Sequence, residues 1–200
     1  MKFYLIIFFF IIFISKNLFA DETSDWLKRE IDIILEAYKN ENLTNENRFL
    51  FIEKTINKNF AGTGIAKFVA GEAWKKSDKS TKKIYIDNFK RHLALNIASM
   101  MQGYSDQTYE LTISKYDSKN QVTLIDMEIF SDTGSVVVTW RVKESKDRFF
   151  VIDLIVADIS LVVTKRSEFN SMLKKVDNEL SKFNEVLFEQ NQISYNKITN

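Results

Sequence analysis

A chain of 200 residues with no cysteine, no proline, and 28 Lys and Arg against 27 Asp and Glu excludes several classes of protein at once. It has no means of building a disulfide framework, a Cys nucleophile or a His/Cys metal cluster, because His92 is its one histidine. The near-neutral balance gives no basic excess for a nucleic-acid partner, and with 45% hydrophobic residues the chain can be held by its core alone.

Residues 1–20 read as a secretory signal peptide: Lys2, an apolar run from Phe3 to Ile14, then Leu18-Phe19-Ala20 before Asp21. The run is shorter than the roughly 20 residues of a comfortable membrane span. Cleavage near Ala20 would remove Lys2 and Lys16 and no acid, leaving residues 21–200 as a single exported domain. Without cysteine, anchoring through a lipidated Cys is excluded.

The first mature segment predicts a helix over 23–38, with Leu27, Ile31, Ile34 and Tyr38 on one face. A second helix, over 45–60, repeats the pattern with Phe49, Ile52, Ile56 and Phe60. Ala61-Gly62-Thr63-Gly64 breaks it, and a short helix over 65–75 carries Phe68, Val69 and Trp74. Ser77 or Asp78 can cap a long helix reaching about Gly103, with a stripe of Ile86, Phe89, Leu93, Ile97, Met100, Met101 and Tyr104.

After Tyr104 the period changes to two. Tyr109, Leu111 and Ile113 alternate with polar neighbours, as do Ile125, Met127 and Ile129, then Val136, Val138, Trp140 and Val142. A fourth run, Phe149 to Ala157, is apolar on both parities, and a helix from about Ser160 to Glu189 follows, with residues 190–200 expected to fray. This order predicts an α+β domain: N-terminal helices, then a twisted antiparallel sheet of about four strands, then a C-terminal helix.

Little here points to catalysis or to a cofactor. His92 reads as a half-exposed surface histidine, the acids lack calcium-loop spacing, and Gly62 and Gly64 lack the strand and lysine of a phosphate loop. The suggestive acid is Asp153, which strict alternation places on the face of Phe149, Val151 and Ile155. A buried carboxylate there would be either a general base in a cone-shaped cavity or a structural ion pair with Arg141 or Arg166. The apolar stripes are likewise either plain core or the wall of a cavity that sheet and helices leave open. Methionines 100, 101, 127 and 172 would suit a pliable lining.

Four segments in fixed order carry a family resemblance: Gly71-Glu72-Ala73-Trp74; Tyr85, Phe89 and Leu93 at steps of four; Phe150-Val151-Ile152-Asp153-Leu154; and the stretch from Ser160 through Arg166 to Phe169. Together they resemble the MlaC family, also called the toluene-tolerance auxiliary family, over about residues 25–187. Two departures stand out: Phe149 or Phe150 replaces a common Trp, and Thr164-Lys165 replaces the usual aromatic before Arg166.

The resemblance implies a periplasmic phospholipid carrier of the Mla pathway, which maintains outer-membrane lipid asymmetry. Its partners would be an outer-membrane lipoprotein–porin complex and the substrate-binding ring of an inner-membrane ABC transporter, with acyl chains held inside the protein. It also implies Phe68, Trp74, Phe89, Leu93, Ile97, Val138, Trp140, Ile152 and Leu154 as the cavity wall, with Asp153, Ser160 and Arg166 as a structural motif. Arg166 would pair with an acid near Asp153 or Asp158. An enzyme using Asp153 and a ligand-free periplasmic interaction domain are the competing readings.

Overall fold

The computed structural model of the protein describes residues 22–102 and 107–200. The expected signal peptide, Gly103 and Tyr104 lie outside the described residues. The helices come first: α1 (22–39), α2 (Asn45–Asn59), α3 (Gly62–Ala70), α4 (Glu72–Lys76) and α5 (Lys79–Met101). Local chemistry sets their ends. Thr44 Oγ1 accepts the Asn47 N–H at the start of α2, and Asp78 accepts the Thr81 N–H at the start of α5.

The short helix expected over 65–75 is two helices, because Gly71 between them has φ +56°, a conformation in which an L side chain is strained. Arg166 closes this corner. Its Nη1 donates to the Phe68 carbonyl at 2.7 Å, in the last turn of α3, and its guanidinium lies 4.5 Å from the Phe68 ring centre. The Arg166 pairing expected with Asp153 or Asp158 is therefore replaced by a cap on a helix carbonyl and a stack on an aromatic ring.

Five antiparallel strands follow in sequence order: β1 (Thr108–Asp117), β2 (Val122–Ser131), β3 (Gly134–Ser145), β4 (Arg148–Val156) and the two-residue β5 (Ile159–Ser160). Two bulges break the alternation. In β1, Leu111 faces Met127 and Ile113 faces Asp126, so Thr112 is the extra residue; in β4, Arg141 faces Asp153 and Val142 faces Val151, so Ile152 is. Each bulge moves the later residues of its strand to the other face. Ile113, expected inward with Tyr109 and Leu111, is accordingly 58% exposed.

The expected C-terminal helix is also two, α6 (Leu161–Lys174) and α7 (Leu180–Thr199), parted by Asp177 and Asn178, both with φ +58°. Asp and Asn tolerate this left-handed region better than most residues. In the segment 190–200, expected to fray, residues 190–199 form the last turns of α7. Asn191 and Ile198 are buried, and Tyr195 donates to Glu46 Oε1 at 2.7 Å.

α7 is registered on α5 by side-chain amides. Asn184 Nδ2 donates to the Thr81 carbonyl, Asn88 Nδ2 to the Asn184 carbonyl, and Asn191 Nδ2 to the Asn88 carbonyl. Around this seam Tyr85, Phe89, Phe169 and Phe183 form an aromatic core, with ring centres 5.0 Å apart at Phe169–Phe183 and 5.9 Å at Phe89–Phe169. His92, expected half-exposed on the surface, is part-buried at the edge of this core: its ring lies 5.4 Å from Phe169 and its Nδ1 is 3.2 Å from Asn191 Oδ1.

Candidate functional site

Where α1 and α2 cross the inner face of the sheet, the layers do not meet. They enclose a cavity of about 660 Å³. From α1 come Trp26, Leu27, Ile31, Ile34 and Leu35; from α2 and its C-terminal residue, Ile56 and Phe60; from the sheet, Tyr109, Met127, Ile129, Val138, Trp140, Val151, Leu154 and Val156. Leu161, the first residue of α6, and Ile97, Met100 and Met101 near the end of α5 complete it. A wall of this composition takes apolar ligands.

The β4 bulge builds part of this wall. Val151 and Leu154 are three residues apart, an odd spacing that strict alternation would send to opposite faces; the extra residue Ile152 lets both face inward. It also sends Asp153 outward, away from the face of Phe149 and Val151 on which alternation had placed it.

Asp153 is 4% exposed, and both of its oxygens are taken. Oδ1 accepts the backbone N–H groups of Leu154 (2.9 Å) and Val162 (3.1 Å); Oδ2 accepts the Ser160 hydroxyl (2.6 Å) and faces Arg141 Nη1 at 3.5 Å. Ser160 in turn caps α6 by accepting the Val163 N–H at 3.1 Å. The acid thus joins β4, β5 and the start of α6, next to cavity-lining Leu161. It does not line the cavity, and its arrangement is that of a structural anchor with Arg141 as ion-pair partner.

Of the nine residues expected on the wall, Ile97, Val138, Trp140 and Leu154 line the cavity. The other five lie elsewhere. Phe89 is in the aromatic core; Trp74 packs on Tyr85 at a centroid distance of 6.4 Å; Leu93 rests partly buried against the core; Phe68 is 44% exposed beneath Arg166; Ile152 is the bulge residue. Met100, Met101 and Met127 line the cavity, whereas Met172 packs on the core from α6.

The wall has two polar regions. Thr108, Ser131, Thr133, Gly134 and Ser135, all exposed, form a solvent-facing rim at the β2–β3 hairpin and the start of β1. On the α1–α2 side stand Glu30, Thr55 and Asn59, with Glu30 the one charged residue of the lining among the described residues. Glu30 accepts from Asn59 Nδ2 at 2.6 Å and from Lys58 Nζ at 2.9 Å. Sequence reasoning missed the whole contribution of α1 and α2, although the stripes Leu27-Ile31-Ile34 and Ile56-Phe60 were legible as apolar faces.

An antiparallel sheet and a layer of helices around an internal apolar cavity define a cavity-bearing α+β protein. The MlaC protein family model matches residues 28–187, and the chain belongs to the MlaC family. No curated protein matches the sequence. A solved structure of the same fold is the phospholipid-binding protein from Ralstonia solanacearum in complex with a phospholipid, similar with a TM-score of 0.71 at 15% identity over 84% of this chain and 96% of that one. At such an identity the likeness is one of fold. No helix among the described residues is long and apolar enough to cross a membrane.

Proposed function

We propose that this protein is a periplasmic phospholipid carrier, holding acyl chains in the cavity between α1, α2 and the inner sheet face. The observation that carries the reading is the cavity itself, apolar on nearly every wall and polar at a solvent-facing rim where a headgroup can stay wet. Its volume falls within the roughly 300–1,000 Å³ of small-molecule sites. Membership of the MlaC family and the phospholipid bound by the Ralstonia protein support the same ligand class.

The physical task is large. Each methylene taken from water is worth about 0.8 kcal/mol, so two acyl chains of ordinary length represent on the order of 20 kcal/mol of aqueous penalty. A carrier hides that surface in transit and releases it on docking. The two docking partners we propose are the outer-membrane lipoprotein–porin complex and the ring of the inner-membrane ABC transporter. Export by a cleaved signal peptide at residues 1–20 places the carrier between them. Catalysis by Asp153 is disfavoured by its position off the cavity with both oxygens occupied.

The test is direct. Protein purified under native conditions is extracted with organic solvent and the extract read by mass spectrometry. Stoichiometric phospholipid supports the carrier; a protein that is repeatedly empty and takes up none from vesicles sinks it.

A further inference from the structure

Helix α1 contributes an unbroken inner face to the cavity, and its link to α2 is the short segment 40–44. Two residues near its middle grip neighbouring elements. Glu30 is bonded to Asn59 and Lys58 of α2. Asp32 Oδ1 accepts the hydroxyl of Tyr109 in β1 at 2.5 Å. Residues two apart on a helix point about 200° apart, so these contacts lie on opposite flanks of α1. Between them Ile31 faces the cavity, 8% exposed.

The gripping residues are themselves part of the wall. Tyr109, Glu30 and Asn59 all line the cavity while their polar ends make the clamps. Lys28 strengthens the Tyr109 side: its Nζ lies 2.7 Å from Asp32 Oδ2, one turn along the same flank. Together with Tyr109 it holds the Asp32 carboxyl below its ordinary range, the Lys28 bond being the larger cause. One clamp ties α1 to the helical layer and the other ties it to the sheet.

Resting on the carrier reading, we infer that α1 is a hinged cover over the lipid, and that the Tyr109–Asp32 and Glu30–Asn59 clamps are positioning contacts that set how fast lipid enters and leaves. A side chain that lines the cavity and also latches the cover couples occupancy to closure. The clamps act on exchange rate, because cutting them removes polar contacts that hold α1 in place and leaves the aliphatic side chains of the wall as they are.

The mature protein is loaded from vesicles of phosphatidylethanolamine and phosphatidylglycerol carrying a pyrene-labelled phosphatidylglycerol, and transfer to unlabelled acceptor vesicles is timed. Tyr109→Phe, which keeps the ring and removes the hydroxyl, should speed transfer roughly three- to tenfold, as losing a hydrogen bond of ordinary net strength implies. Asp32→Asn should act in the same direction. The native chain has no cysteine, so Glu30→Cys/Asn59→Cys offers a unique pair for a short thiol cross-linker. Once bridged, loaded protein should keep its lipid and transfer it at under roughly a tenth of the unbridged rate, as holding the cover shut requires. Bridged protein that exchanges like the unbridged form, or a Tyr109→Phe rate equal to wild type, overturns the cover while leaving the carrier standing. Wild type that never loads lipid overturns the carrier reading and the cover with it.

Discussion

Asp153 and Ser160 face each other across the β4–β5 hairpin, with the hydroxyl donating to Oδ2 at 2.6 Å, and this contact joins the sheet to the helix that continues from the cavity wall. The same serine caps α6, so one side chain serves two elements. Asp153→Ala leaves the Val162 and Leu154 N–H groups without their carboxylate and Arg141 without its partner. We expect a loss of about 3 kcal/mol, at the upper end for buried donors left unsatisfied. Ser160→Ala should cost about 1 kcal/mol as a lost cap. Urea denaturation measures both, and a neutral Asp153→Ala would refute the anchor.

Val138 and Leu154 line the cavity, whereas Phe89 fills the aromatic core 1% exposed. Val138→Trp or Leu154→Trp should therefore reduce bound phospholipid severalfold while shifting the melting temperature little. Phe89→Ala should do the reverse, costing about 3–5 kcal/mol. Mass spectrometry of extracted lipid beside thermal melts separates the two. Equal losses of loading and folding in the tryptophan variants would mean that these positions are plain core.

His92 gives the fold an acid sensitivity. Burial is the main cause that lowers its pKa to about 4 from 6.5, with the neighbouring charge of Lys165 adding to it. Its Nε2 is buried without a partner. The unfolded chain therefore takes up a proton below pH 6.5 that the folded chain refuses until about pH 4. Stability is level above the unfolded value and falls as pH drops through that window. His92→Gln should flatten the melting temperature between those pH values, which thermal scans across buffers will show.

Gly71 has φ +56°, and a Cβ placed there would stand 3.4 Å from Arg166 Nη2. Gly71→Ala should destabilise by about 1–3 kcal/mol through backbone strain, before any displacement of the arginine. Arg166→Lys keeps the charge but loses the planar stack on Phe68, so it should not restore an Arg166→Ala loss fully. Chemical denaturation of the three variants checks this, and full rescue by lysine would show that charge alone matters there.

The helices and strands were legible because their signals are local. A face such as Leu27-Ile31-Ile34, or the alternation Val136-Val138-Trp140, is written in spacing that the backbone imposes. The order of helices before strands was enough for the α+β class, and the four ordered segments were enough for the family. The two extra helix breaks were harder to see. Gly71 stood inside an apolar pattern, and Asp177-Asn178 carried no glycine or proline to mark the turn between α6 and α7.

Sequence by itself determined which residues are apolar and which faces they share along each element. Only the tertiary structure decided what those faces meet. Phe89 and Trp140 read alike as wall residues, yet one closes against Phe169 and the other borders a void, because a void arises only where facing layers fail to touch. The bulges at Thr112 and Ile152 were equally out of reach, since an extra residue is defined by register against the neighbouring strand. That register turned Leu154 inward and Asp153 outward, and so separated the cavity wall from its anchor.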